Sequence, residues 1–199
     1  MKKFLLTAAI VLAAASAQAT PTFFYQEQGV LFGLNQTDSN SFTLRIKGAL
    51  DATGDWASAT QIDNLGFKNL GFDPTGGTLS PGNWNWSPNE LTANGCTGGD
   101  SGGVCFDAAP SIALTNDMTF TIDLLGGSLN LSETTGPHLK LRFLDAQGNK
   151  EGSLLSQDMR FLAPGSPDPF VVTQVPEPAS LALVGLGLFV VGMTRRKFA

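Results

Sequence analysis

Met118-Thr119-Phe120-Thr121-Ile122-Asp123-Leu124-Leu125 decides the fold class. Met118, Phe120, Ile122 and Leu124 fall on one side of a period of two, and Thr119, Thr121 and Asp123 on the other. Successive side chains of a strand point to opposite faces, so this alternation marks a half-buried strand. Gly126-Gly127 supplies the turn after it, and Ser128 to Leu131 is read as another short strand.

The same signal recurs on both sides. Downstream, Leu139, Leu141 and Phe143 alternate with His138, Lys140 and Arg142, and Asp145-Ala146-Gln147-Gly148-Asn149 turns the chain into Gly152–Gln157. Met159 to Leu162 reads as a last short strand. Upstream, Phe42, Leu44 and Ile46 share one face of Ser41–Lys47, and Thr22 to Leu34 reads as a strand or hairpin. Gly54-Asp55 marks a turn. Ala59 to Phe72 is ambiguous: Ile62, Leu65 and Leu70 suit a helix, but Gly66 and Gly71 interrupt it and favour a strand. Asp73 to Gly95 is rich in Pro, Gly and Asn, and Trp84 and Trp86 inside it would point the same way on a strand. Ser111 to Thr115 is a further short run. About eight short strands between turns predict an all-β fold: a single, jelly-roll-like β-sandwich. No fixed-period repeat appears.

Both ends of the chain carry a different kind of signal. Lys2 and Lys3 precede an apolar stretch from Phe4 to Ala15, and Ala17-Gln18-Ala19 is an A-x-A site. That is the layout of a secretory signal peptide, with cleavage expected after Ala19. Export then engages the Sec translocon and signal peptidase. At the other end, Val175-Pro176-Glu177-Pro178 is followed by an apolar run from Leu181 to Met193 and by Arg195, Arg196 and Lys197. The prolines fix φ and lack an N–H, so the chain there is extended. The run is 13 residues, roughly 20 Å as a helix, against a bilayer core of ~30 Å. A span of about 179–194 needs local thinning or snorkelling of the basic cluster, which is expected to stay cytoplasmic.

This tail resembles the PEP-CTERM sorting domain of Gram-negative bacteria. The likeness rests on the triplet, the apolar run and the basic end in that order, and covers Val175 to Ala199. The resemblance implies recognition by an exosortase, a membrane-embedded cysteine-type transpeptidase, at or near the triplet. It further implies transient anchoring in the inner membrane and a final place at the cell surface or in the extracellular matrix, in bacteria that make exopolysaccharide and biofilm. The stretches Asn94–Phe106, Thr119–Ser132 and Pro137–Gln157 are also similar to domains carried by PEP-CTERM proteins of unassigned role. That likeness supports the fold class and supplies no activity. The organisation read from the chain is a signal peptide at 1–19, a sandwich at 20–162, a Pro/Gly/Ser spacer at 163–174 and the sorting signal at 175–199.

Between the two ends lie 155 residues, Thr20 to Gln174, enough for one domain with a sizeable core. They hold seven Lys and Arg against sixteen Asp and Glu, a net charge of −9. Such a body is a poor match for nucleic acid, whose binders carry basic patches. Cys96 and Cys105 are the only cysteines, and an even pair in an exported chain reads as a disulfide. Gly99-Asp100-Ser101-Gly102-Gly103 between them resembles the nucleophile motif of chymotrypsin-like proteases. The sole histidine, His138, follows Ser101, whereas that order needs one before it. The motif is therefore read as a chance match within a Gly-rich bridged loop, and no catalytic residue is assigned.

His138, Lys140 and Arg142 form a basic stripe that reads as a solvated face, with contact to acidic polysaccharide as the functional alternative. Trp84 and Trp86 are candidate glycan contacts, with Asn83, Asn85 and Asn89 beside them as hydrogen-bonding groups. No D-x-D-x-D-G loop appears, and Asp145 to Glu151 has only a loose ligand spacing, so no metal and no cofactor is expected. The function expected from the sequence is that of a non-enzymatic, exosortase-processed surface or matrix protein in contact with extracellular polysaccharide. The alternative is a secreted hydrolase acting on glycans, whose paired carboxylates cannot be picked out of sixteen scattered acids.

Overall fold

The computed structural model describes residues 23–170, without the side chains of Asp100 and Ser101. The signal peptide at 1–19 and the sorting signal at 175–199 lie outside the described residues. Residues 23–166 belong to one compact unit, and residues 167–170 to a second. In the second, the Phe170 amide donates to Asp168 Oδ1 at 2.9 Å.

Alternating sequence becomes strand wherever one face can be buried. The strands are β1 (Phe23–Glu27), β2 (Val30–Gln36), β3 (Ser41–Lys47), β4 (Gln61–Lys68), β5 (Gly76–Ser80), β6 (Trp84–Asn89), β7 (Asp100–Ala113), β8 (Asp117–Leu125), β9 (His138–Leu144), β10 (Lys150–Asp158) and β11 (Arg160–Phe161). Two short 3₁₀ turns, Ala49–Asp51 and Gly54–Trp56, join β3 to β4. The strands form two antiparallel sheets, ordered β11-β1-β2-β3-β8-β5 and β10-β9-β4-β7-β6. Phe42 of β3 meets Phe67 of β4 edge to face at 4.9 Å, so the inner faces of the two sheets share one core.

Three strands follow their sequence pattern residue by residue. Phe42, Leu44 and Ile46 of β3, Met118, Phe120, Ile122 and Leu124 of β8, and Leu139, Leu141 and Phe143 of β9 are all buried. Within the stretch expected as a strand or hairpin, residues 23–34 form a hairpin closed by Gln28 and Gly29. Residues 61–68 are a strand rather than a helix, in line with the reading from Gly66 and Gly71.

Two expectations need correction. Ser128–Leu131 forms no strand; Leu129 is tied to the Ser39 carbonyl by its amide and Asn130 to that of Leu70. The Gly-rich segment before Cys105 is not a loose loop throughout, because β7 begins at Asp100 and runs through to Ala113. It lies between β4 and β6, pairing with β4 from Val104 onward and with β6 at Asp100 and from Cys105 onward; Gly102, at φ +72, falls in the register shift opposite Ser87–Asn89. A β-carbon on Gly103 would lie 2.7 Å from the Phe67 carbonyl oxygen, so close approach of backbone is what requires glycine there.

At the outer face of the first sheet, Arg45 Nε donates to Asp117 Oδ1 at 2.8 Å across β3 and β8. That hydrogen bond holds the Asp117 carboxyl below the usual carboxylate range, against a smaller opposing effect of burial and with help from the charges of Arg45 and Lys47. A carboxyl lowered in the folded state stabilises above its unfolded value and loses that stabilisation as pH falls through the folded one. Asp117→Asn should therefore cost under about 1 kcal/mol at neutral pH, since the pair is exposed. It should also flatten the stability loss below about pH 4, read as urea midpoint against pH.

Candidate functional site

The outer face of the second sheet carries ion pairs of Asp63, Glu90 and Asp158 with Arg142, Lys68, Lys140 and His138. Its first device is a β-bulge. Both partners of β4 shift register between Ile62 and Asn64, leaving Asp63 outside both ladders. The extra residue lets Ile62 and Leu65, three apart, both enter the core. It also turns Asp63 and Asn64 together toward the polar face. Asp63 meets Arg142 of β9 through a two-point ion pair, with Nε to Oδ1 at 2.9 Å. The Asp63 hydrogen bond raises the Arg142 pKa; burial opposes it, and the Asp63 and Asp107 charges add to it.

The second device is the loop from Glu90 to Gly99, folded back over this face. Leu91 is buried against the bare Cα of Gly66, where a β-carbon would lie 3.0 Å from Leu91 Cβ. Thr92 and Gly95 exchange backbone hydrogen bonds at 2.9 and 3.1 Å, and Arg142 Nη1 donates to the Ala93 carbonyl at 3.1 Å. The Cys96–Cys105 disulfide fastens the far limb to β7. Asn64, with 0 % exposure, donates to Asp107 Oδ1 at 2.6 Å beneath it, and its Oδ1 has no partner among the described residues. Replacing both cysteines by serine should cost about 2.5–3 kcal/mol by chain entropy. Urea titration of the oxidised protein against the double variant checks this, and a cost under about 1 kcal/mol would mean the loop is held by Leu91 and Arg142 alone.

At the near end of the loop, a cleft of about 290 Å³ is lined by Lys68, Asn69, Glu90, His138, Lys140 and Ser156. Glu90 bridges two cations, with Lys68 Nζ at 3.2 Å from Oε1 and Lys140 bonded to the same oxygen. His138 and Asp158 face each other across β9 and β10. The Met159 amide donates to Pro137 O at 2.9 Å, which makes theirs the closer, non-hydrogen-bonded kind of pair. His138 Nδ1 lies 2.7 Å from Asp158 Oδ1 and Nε2 lies 3.0 Å from Ser156 Oγ. The order Ser–His–Asp is that of a nucleophile, a base and the group that orients it. The Asp158 side chain is 60 % exposed, so water competes for its bond to His138.

The structure therefore places the predicted basic stripe as follows. His138, Lys140 and Arg142 do share the outer face of β9, and each has an acidic partner: Asp158, Glu90 and Asp63. The face is neutralised from within, and sequence reading missed the three acids because they lie 20 to 79 residues away.

The indoles lie elsewhere. Trp84 and Trp86, on β6, are partly buried and pack on the core side. Trp84 is edge-on to Phe120 at 5.7 Å and donates Nε1–H to the Pro81 carbonyl at 2.9 Å. Trp86 Nε1 is buried with no partner among the described residues. Trp84, Asn83 and Asn85 line one cleft of about 430 Å³, which Trp86 and Asn89 do not line. Asn89 instead donates to the Cys96 carbonyl at 3.3 Å.

Among the described residues no three His, Cys, Asp or Glu side chains are grouped to hold a metal ion. Asp145 caps its own turn, accepting from the Gln147 and Asn149 amides at 2.9 and 2.8 Å, and the Asn149 bonds lower its pKa. Gly99 precedes β7, which opens with Asp100–Gly103; the Ser101 side chain lies outside the described residues. No described helix is long and apolar enough to cross a membrane.

A model of the PEP-CTERM protein-sorting motif matches residues 174–197. The chain carries a PEP-CTERM sorting motif. The matched segment takes in Val175, Pro176, Glu177, Pro178 and the cluster Arg195, Arg196 and Lys197. A PEP-CTERM protein is exported and addressed to an exosortase, with its C-terminal signal as a transient anchor. No curated protein and no solved structure matches the chain.

Proposed function

We propose that this PEP-CTERM protein is a non-enzymatic component of the cell surface or extracellular matrix, displayed among exopolysaccharide in a biofilm. The observation that carries the reading is the sorting motif at 174–197, which follows a disulfide-stapled domain of two antiparallel sheets. A disulfide suits an oxidising compartment, and a net charge of −9 in the body suits solubility there. Sec export with cleavage after Ala19, a membrane span near 179–194 and release by exosortase complete the route. Fractionation of the native host and an exosortase-deletion strain tests it. The expected result is surface or matrix protein in the first and uncut precursor in the inner membrane of the second. Identical fractions in both would overturn it.

One observation favours a second reading, a secreted glycan-active hydrolase. The Ser156–His138–Asp158 relay has the connectivity of an activated nucleophile. Hydrolysis of ester-substituted polysaccharide by the exported protein, abolished in Ser156→Ala, would put this reading first.

A further inference from the structure

We propose that the cleft between β5 and β6 is a binding site for an uncharged sugar unit of a polysaccharide, an inference that rests on the polysaccharide association above. The cleft forms where the chain crosses from one sheet to the other. β5 ends at Ser80, the turn runs through Pro81, Gly82 and Asn83, and β6 begins at Trp84. Each strand is the edge of its sheet among the described residues. Alternate backbone N–H and C=O groups of an edge strand have no ladder partner, so both rims can offer donors and acceptors to hydroxyl groups.

The lining is chemically selective. Gly77, Thr78, Leu79, Gly82, Asn83, Trp84, Asn85 and Ala109 line this cleft, and none of them carries a formal charge. Two other clefts are different: one is lined by Lys68, Glu90, His138 and Lys140, and the other by Glu133, Asp158 and Arg160. A neutral ligand loses no ion hydration on entering an uncharged site, whereas a polyuronate would approach a body of net charge −9. An indole body beside amide and hydroxyl groups is the mixture that suits a sugar, whose C–H faces are apolar and whose rim is hydroxyl.

The site is also set before the ligand arrives. The Trp84 ring is held twice, by its bond to the Pro81 carbonyl and by its T-shaped contact with Phe120. Gly82 has φ +108, and a β-carbon there would fall 2.9 Å from Trp84 Nε1 and 2.7 Å from Ile112 Cδ1. Only glycine lets the turn lie against the indole. The Asn83 and Asn85 side chains are exposed and make no hydrogen bond among the described residues, so no internal bond is broken when they turn to a ligand.

The test is affinity electrophoresis of the mature protein recovered from its exporting host, in gels containing dextran, galactomannan, alginate or the host's own exopolysaccharide. The expected result is retardation by at least one neutral polysaccharide and none by alginate. Trp84→Ala should weaken binding about tenfold or more, as loss of a central aromatic anchor does. Asn83→Asp with Asn85→Ala, which alters only exposed side chains, should also weaken it and decides the matter where Trp84→Ala fails to fold. Binding that survives the Asn variant overturns the cleft, as does retardation by alginate alone, though the polysaccharide association then stands. No retardation by any of the four removes that association as well. A dimer by light scattering that Asn83→Asp dissociates would assign this edge to a second copy of the chain.

Discussion

Trp56→Ala is expected to destabilise the sandwich by about 3–5 kcal/mol, the range for removing a buried aromatic side chain. Trp56 is 1 % exposed at the end of the second 3₁₀ turn. Its ring meets Phe32 of β2 edge-on at 6.3 Å and Phe143 of β9 at 5.1 Å, one from each sheet. It therefore bridges the two layers at the end where the chain passes from β3 to β4. Its Nε1–H donates to the Ser153 carbonyl of β10 at 3.0 Å. Alanine removes the ring contacts, leaves a void between the sheets and strands the Ser153 acceptor. Trp56→Phe keeps most of the packing and loses only the donor, so about 1–2 kcal/mol is expected. Since domains are stable by only about 5–15 kcal/mol, the alanine variant loses much of its margin. The check is the urea midpoint at unchanged slope. A cost under about 1.5 kcal/mol for Trp56→Ala would mean the void collapses and the bridge is not structural.

Trp56 also shows where sequence reading stops. It lies between Asp55 and Ala57, with no periodicity around it, and the segment reads only as a turn. Its burial depends on two sheets meeting over it, which no local pattern encodes. The strands β3, β8 and β9 were legible because one face of each is buried and the other is wet, so alternation survives. β4 was ambiguous for a physical reason: the bulge at Asp63 breaks the period of two and spaces Ile62 and Leu65 like a helix. The start of β7 was misread because Gly102 and Gly103 were taken as freedom, whereas Gly102 sits at φ +72 and close approach of the Phe67 carbonyl requires Gly103. The disulfide was legible from a cysteine count alone. The partners of His138 were not, because strand register puts Ser156 and Asp158, 18 and 20 residues on, beside its ring. The sorting motif was the most legible feature, since its three parts are contiguous.

Replacing Pro176, Glu177 and Pro178 together with alanine is expected to stop release of the protein. Two changes coincide in that variant. The acidic side chain between the prolines disappears, and with it the one negative charge the motif offers to the processing enzyme. The chain also gains helix propensity, because alanine is the strongest helix former and proline the weakest, about 3 kcal/mol apart per residue. The apolar run from Leu181 to Met193 is 13 residues, about 20 Å of helix, and fits a ~30 Å core poorly. Apolar, helix-competent residues at 176–178 would lengthen the span by about 5 Å and relieve that mismatch. The cleavage region, which the two prolines are expected to keep out of the helix, would then be drawn into the membrane. Surface or matrix protein should fall below about a tenth of wild type, as expected when a contact worth at least ~1.4 kcal/mol is lost. Uncut precursor should accumulate in the inner membrane, read by immunoblot with an epitope in the body. Glu177→Gln separates the causes, since it removes the charge and keeps both prolines. Release near wild type in Glu177→Gln but not in the triple variant would assign the effect to chain geometry. Undiminished release of the triple variant would sink the role of the triplet, and with it the reading of the apolar end as a removable anchor.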